Sequence, residues 1–171
     1  MNFGRLLAVL GGLITLVGTW WFSLFISPVI AGAPVYSIGG ILNFSWLVGN
    51  GAAVLGVDNW VVYLILVVYS MYLLSFIAQL AGGKSRISAF IGSLLPLAVG
   101  VIIMIFSLTG GSTLGTVVNA IGLFAGDPII VGWFPFHYSV GVQFEALGTY
   151  AIIFGSLLAL ISSFIPRPDD Y

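Results

Sequence analysis

Four long apolar segments without a single charged side chain constrain the fold of this chain more than any other feature. They cover residues 6–26, 60–80, 87–108 and 146–165. A helix needs about 20 consecutive apolar residues to cross the hydrocarbon core of a bilayer, and each segment is close to that length. The sequence therefore predicts an all-α integral membrane protein, with four transmembrane helices packed as a bundle in one domain over residues 1–171.

The composition requires a solvent other than water over most of the molecular surface. Hydrophobic residues make up 60% of the chain and charged residues only 5%, whereas a soluble domain carries about 25% charged residues. The lipid bilayer is therefore the first partner that we expect. The net charge of −1 argues against nucleic acid, which needs a basic face. The lack of cysteine excludes disulfides and cysteine-based metal sites, and no cofactor is expected.

Every basic residue falls on the same side of a four-span topology. Arg5 precedes the first span, Lys84 and Arg86 lie between the second and the third, and Arg167 follows the fourth. Because the cytoplasmic segments of membrane proteins are enriched in lysine and arginine, this side is predicted to be cytoplasmic. The sequence thus predicts a multi-pass protein of the cell membrane with both its N- and C-termini in the cytoplasm.

The two segments on the opposite side, residues 27–59 and 109–145, are too long and too apolar for ordinary loops. Long loops without structure are uncommon, and disorder requires low hydrophobicity. We therefore expect two ordered outer loops that pack on the bundle or re-enter the membrane. Apolar residues at helical spacing predict a short helix in each loop, over residues 38–46 and 114–124, and the aromatic stretch around Pro135 predicts a β-hairpin.

Four titratable side chains on the outer side form a candidate polar site. They are Asp58, Asp127, His137 and Glu145. Asp58 and Glu145 each directly precede a span, where a carboxylate caps a helix by accepting bonds from free backbone N–H groups. The alternative is a cation or proton site at the outer mouth of the bundle. His137 is the only histidine, and because a metal site normally needs three or four ligands, no metal site is predicted.

Glycines one heptad apart predict where the helices touch. Gly11 and Gly18 have this spacing in the first span, and Gly148 and Gly155 have it in the fourth. Small residues allow membrane helices to approach closely, so these four glycines are expected at helix-packing faces. The sequence leaves open whether the contacts lie within this chain or join it to another.

The two halves of the chain resemble one another weakly. Residues 5–11 and 86–92 both read as an arginine followed by an apolar run that ends in glycine. In each half an acidic residue precedes the second span. This order predicts a parallel repeat of residues 5–85 and 86–167, related by an axis along the membrane normal. The alternative is that any two membrane hairpins share leucine, isoleucine, valine and glycine.

One short motif bears on a pore. Val48-Gly49-Asn50-Gly51 follows a predicted short helix between two spans and loosely resembles the filter region of potassium channels. The resemblance implies a loop whose carbonyl groups line a pore. The motif departs from the family pattern at Leu47, where that pattern has threonine, and at Asn50, where it has an aromatic residue.

Two classes of function remain. No span carries an aspartate, glutamate, histidine, lysine or arginine, and no nucleophile–base pair is evident, so enzymatic activity is not expected. The first hypothesis is a small structural or accessory membrane protein that acts by association with a protein partner or as a homo-oligomer. The alternative is a small pore or carrier for a neutral solute or a cation, formed by re-entrant outer loops. The pore would be favoured by convergence on one line of the polar side chains Ser70, Ser75, Gln79, Ser93 and Ser107.

Overall fold

The computed structural model describes residues 2–26, 34–42, 44–108 and 146–166. The elements, in chain order, are α1 (Phe3–Trp20), β1 (Ser23–Ile26), β2 (Pro34–Tyr36), α2 (Gly39–Leu42), α3 (Phe44–Leu55), α4 (Asn59–Ala81), α5 (Arg86–Leu108) and α6 (Leu147–Phe164). The predicted helix over residues 114–124 and the predicted hairpin around Pro135 lie outside the described residues. The repeat of residues 5–85 and 86–167 stays a prediction.

Four of these helices, α1, α4, α5 and α6, are apolar enough and long enough to cross a membrane. Within the described residues, their number agrees with the four helices that the sequence predicts as spans. α4, α5 and α6 begin and end within one residue of the predicted segments. The agreement follows from the sharp change in polarity at these ends, where charged residues, glycine and proline replace the apolar run.

The four long helices form a closed ring in which each helix packs on two neighbours. α1 packs on α4 and α6, and α5 packs on the same two helices. α1 therefore lies diagonally across from α5, and α4 lies across from α6. This arrangement gives the bundle an interior that side chains from all four helices share.

The basic residues lie together at one end of the bundle. Arg86 Nε at the start of α5 donates a hydrogen bond to the carbonyl of Ser163, near the end of α6, at 2.9 Å. Asn2, before α1, donates to a carbonyl just after α6 at 3.5 Å. These bonds join the start of α1, the start of α5 and the end of α6. Arg5, Lys84 and Arg86 therefore share this end, which we call the basic end.

The first span is shorter than predicted because the chain turns into a β-strand. α1 ends at Trp20 instead of residue 26, and β1 pairs antiparallel with β2, with Phe25 opposite Val35. The segment after Trp20 is rich in aromatic residues, which favour strands on partly buried surfaces. Leu24, Phe25 and Val35 are at most 2% exposed and pack with α4, α5 and α6 in the main core. The hairpin thus closes the end of the bundle opposite the basic end.

α3 lies against the outer part of α4. Leu47 of α3 forms a small buried cluster with Val62 and Leu66 of α4. α3 ends at Leu55. The next residue, Gly56, has a φ of +66°, a left-handed conformation that glycine adopts without strain. In place of the one short helix predicted over residues 38–46, the structure has two helices, α2 and α3, and α3 extends to Leu55. The filter loop implied by the channel resemblance is wrong, because residues 48–51 continue the helix of α3.

Candidate functional site

Of the four candidate polar residues on the outer side, the structure describes only Asp58. This residue occupies the capping position of α4, but its side chain makes no capping hydrogen bond. The predicted cap is therefore wrong as a side-chain bond, since the carboxylate stays exposed instead of folding over the first turn. Asp127, His137 and Glu145 lie outside the described residues. Within the described ranges, no three acidic or histidine side chains come together as metal ligands.

The seam between α1 and α6 is built from residues without bulky side chains. A Cβ added to Gly11 would lie 2.5 Å from the carbonyl oxygen of Gly155 and 2.8 Å from the backbone nitrogen of Ala159. A Cβ added to Gly18 would lie 2.7 Å from the Cβ of Ala151. Non-bonded atoms do not approach this closely, so any residue with a Cβ would push the two helices apart. Glycine at these positions therefore allows the two backbones to be in contact.

Other glycines of the long helices also face this chain's own elements. A Cβ on Gly148 would collide with the carbonyl oxygen of Ser23, at the start of the hairpin. A Cβ on Gly12 would lie 2.9 Å from the side chain of Leu80 in α4, and Gly92 of α5 packs equally closely on α4. The glycine contacts that the sequence left open are therefore internal in the described helices. A partner would need a different surface.

Hydrogen bonds fasten the buried hairpin to α6. The β-ladder is irregular at Leu24, and the carbonyl of Leu24 instead accepts a bond from the backbone N–H of Ala146 at 2.9 Å. The same carbonyl accepts from Thr149 Oγ1 at 2.6 Å. The irregularity in the ladder thus supplies the acceptor that anchors the start of α6.

Burial raises the pKa of Tyr36 in β2 above its ordinary value, so this phenol stays uncharged.

Two tyrosines of α4 hold the segment that follows β2. Ser37 Oγ and the phenol oxygen of Tyr72 lie 2.8 Å apart in a buried hydrogen bond. The phenol of Tyr69 donates to the carbonyl of Ser37. Trp20 Nε1, at the end of α1, donates to the carbonyl of Leu73 at 3.2 Å. These bonds tie the hairpin and the end of α1 to α4.

The polar side chains of the second and third spans point in different directions. Ser70 is exposed on the outside of α4, whereas Gln79 and Ser93 are fully buried. The hydroxyls of Ser70, Ser75 and Ser93 each donate to a carbonyl of their own helix. Gln79 Nε2 donates across to a carbonyl of α5 at 3.0 Å. The side chain of Ser107 is not among those described, and the other four do not fall on one line.

Four fully buried polar side chains are distributed over the four long helices, one on each. Thr15, Gln79, Ser93 and Ser156 come from the four different long helices, and all four are 0% exposed. The hydroxyls of Thr15 and Ser156 and the Oε1 atom of Gln79 make no hydrogen bond to any described residue. We call these four residues the buried polar layer. An inspection of charge alone misses them, because hydroxyl and amide side chains carry none.

A groove runs along the outside of the bundle between α4 and α5. Its volume is about 540 Å³, and it is lined by residues 63–78 of α4, residues 91–95 of α5 and Phe44 of α3. The hydroxyls of Ser70 and Ser75 line it, but both are bonded to carbonyls of α4. Met71 lies in the middle of the groove and is 61% exposed. This lateral groove is therefore an apolar surface open to the side of the bundle.

Comparison with known proteins adds no relative. No family model, no curated protein and no solved structure matches this chain. The function is therefore argued from the geometry of the described residues.

Proposed function

We propose that this chain is a small structural or accessory protein of the cell membrane that acts by association with a partner protein or with a second copy of itself. The observation that carries the proposal is the lateral groove, which no described residue covers. α4, which forms one wall, is the least buried of the four long helices. Helices in a bilayer associate through close van der Waals packing, so an open groove beside a helix suits one further helix.

A row of exposed apolar side chains follows α4 at the spacing of a helix-packing seam. Its members, each more than half exposed, are Trp60, Leu64, Val67, Met71 and Leu74. Alternating steps of four and three residues are the spacing at which helices pack in left-handed coiled coils. In α1 the same spacing marks the buried face that packs on α6. A partner helix in the lateral groove would cover the corresponding row on α4.

We also propose that the basic end faces the cytoplasm, so that both termini lie there. Arg5, Lys84 and Arg86 support this orientation, because positive charge is retained on the cytoplasmic side of membrane proteins. Asp58 belongs to the opposite end, at the start of α4. In this orientation the β1–β2 hairpin closes the bundle on the outer side.

Association is favoured over the alternative pore or carrier by the position of the hairpin. The buried polar layer is the observation in favour of a solute path, because such a path needs polar groups inside the bundle. The hairpin argues against the path, since Leu24, Phe25 and Val35 fill the end of the bundle with apolar side chains. Catalysis is not proposed, because no aspartate, glutamate or histidine lies in any of the four long helices.

Site-directed crosslinking in native membranes tests the proposal. The chain has no cysteine, so one introduced thiol can carry a benzophenone at a single position. Met71→Cys places it in the lateral groove, and Phe154→Cys places it on the exposed side of α6, at 57% exposure, as the matched control. We expect a defined protein adduct from Met71→Cys, at twice the chain mass if the partner is a second copy, and none from Phe154→Cys.

Two results would contradict association through the groove. Protein adducts of equal yield from Met71→Cys and Phe154→Cys would show that the contacts are random collisions. If both positions gave only lipid adducts, no protein would occupy the groove. A monodisperse monomer that moves a solute into liposomes would put the pore or carrier in its place.

A further inference from the structure

The buried polar layer lies at one depth in the bundle. Thr15 Oγ1 is 2.5 Å from the position of a Cβ on Gly155, so Thr15 is level with the residue before Ser156. On the neighbouring side, the position of a Cβ on Gly12 is 3.0 Å from the backbone nitrogen of Leu80, the residue after Gln79. With a rise of 1.5 Å per residue, the attachment points of Thr15, Gln79 and Ser156 fall within about 5 Å along the bundle axis.

Ser93 completes the layer from the fourth helix. A Cβ on Gly92, its neighbour in the chain, would lie 2.8 Å from the backbone nitrogen of Gln79. Ser93 is therefore level with Gln79. The hydroxyl of Ser93 donates a hydrogen bond to the carbonyl of Phe90 at 2.7 Å. Its oxygen can still accept a hydrogen bond through its lone pairs.

Thr15 and Gln79 of the layer are turned toward the shared interior of the ring. Gly11 packs on α6 and Gly12 packs on α4, and Thr15 is one helical turn above both. Thr15 therefore lies on the face of α1 between these two neighbours. Gln79 reaches α5 through its amide nitrogen, which leaves its oxygen inside the ring.

We propose that Thr15, Gln79 and Ser156 together bind one water molecule in the centre of the bundle. Gln79 Oε1 only accepts hydrogen bonds, whereas the hydroxyls of Thr15 and Ser156 can donate and accept. A water molecule has two donors and two acceptors, so it can donate to Gln79 Oε1 while it accepts from the two hydroxyls. Buried waters typically make about three such bonds to polar groups that lack another partner.

A neutral guest fits this site better than a cation. The three oxygens carry no formal charge, and no acidic residue occurs in any span. A buried cation without a counter-charge is strongly disfavoured, because it loses its hydration and gains no paired anion. The bound water would link α1, α4 and α6 through three atoms that make no hydrogen bond to any described residue.

The experiment compares Ser156→Ala with Ser162→Ala. Both serines are fully buried in α6, but the hydroxyl of Ser162 donates to the carbonyl of Ala159 within its own helix. Melting temperatures are measured in detergent micelles for both variants, for Thr15→Val and for each pair of changes. We expect Ser156→Ala to lower the melting temperature by about 2–4 °C. The double variant Thr15→Val/Ser156→Ala should lower the melting temperature by less than the sum of the two single decreases, because both changes remove the same bound water. The decreases caused by Thr15→Val and Ser162→Ala should be additive.

A rise in melting temperature on Ser156→Ala would overturn the proposal, because removing a hydroxyl that has no partner stabilises a buried site. Additive effects of Thr15→Val and Ser156→Ala would also overturn it. Replacing Na⁺ by a large organic cation should change nothing, and a melting temperature that rises with Na⁺ would assign the layer to a cation instead.

A second measurement does not depend on the folding of any variant. Radiolysis of the wild-type protein by X-rays generates hydroxyl radicals from internal water, and these label the side chains beside it. We expect label on Ile152, which is 0% exposed and lies one helical turn from Ser156. An unlabelled Ile152 under conditions that label exposed Met71 would contradict a water at this site.

Discussion

Replacing Gly155 by alanine tests whether direct backbone contact between α1 and α6 holds the bundle closed. The added methyl group would lie 2.5 Å from Thr15 Oγ1, and 2.7 Å from both the carbonyl oxygen of Gly11 and the backbone nitrogen of Thr15. Two of these three atoms belong to the backbone of α1 and have no rotamer into which they can move. Because non-bonded atoms prefer separations of about 3.5–4.0 Å, α1 and α6 must move apart by about 1 Å.

The expected loss combines two opposing effects. Overpacking of a tight contact typically costs about 1–3 kcal/mol. Alanine is a better helix former than glycine by about 1 kcal/mol, which offsets part of this cost. We therefore expect Gly155→Ala to lower the free energy of unfolding by up to about 2 kcal/mol.

Gly49→Ala is the matched control for this prediction. Gly49 lies on the exposed side of α3, and a Cβ there would meet nothing within 4 Å. This change should raise the free energy of unfolding by about 0.5–1 kcal/mol, because only the helix-forming gain remains. Both variants are unfolded in mixed micelles by titration with a denaturing detergent and followed by tryptophan fluorescence. If Gly155→Ala proves as stable as Gly49→Ala, the two helices are not in backbone contact and the reasoning fails.

Four further changes probe separate parts of the structure. Tyr72→Phe should lower the free energy of unfolding in the same assay by about 1–3 kcal/mol, because it leaves the buried hydroxyl of Ser37 without its phenol partner; an unchanged value would contradict that bond. Asp58→Ala should change stability by less than about 0.5 kcal/mol, since the exposed carboxylate makes no capping bond; a larger loss would reinstate the cap. Gly56→Ala should cost about 1–2 kcal/mol through its left-handed backbone, although its Cβ has open space. Ser85→Cys, at the basic end, should react with an impermeant maleimide only after the cells are opened, and labelling of intact cells would invert the topology.

The four long helices were predictable because their signal is local. A run of about 20 apolar residues has few alternatives in a bilayer, whatever its neighbours are. The end of α1 was not predictable in the same way, since the run continues to Ile26 without a charged residue. The cue was the concentration of aromatic residues after Thr19, which favours a strand over a lipid-facing helix.

Which neighbour each helix face contacts depends on the positions of the other helices. It therefore cannot be predicted from the sequence of that helix alone. The heptad spacing of Gly11 and Gly18 predicts a packing face, but only the assembled ring shows that Gly155 and Ala151 lie opposite them. The same limit applies to the buried polar layer. Thr15 reads as an ordinary residue of an apolar span until α4 and α6 are placed around it.

The contact between α1 and α6 also sets an order for biosynthesis. The ribosome delivers α1 first among the four long helices and α6 last, so the Gly11 and Gly18 face of α1 lacks its cover until the end of synthesis. During this interval the carbonyl of Leu24 has neither Ala146 nor Thr149 to bond. A chain whose synthesis stops before α6 therefore lacks both the packing partner of this face and the two donors to the carbonyl of Leu24.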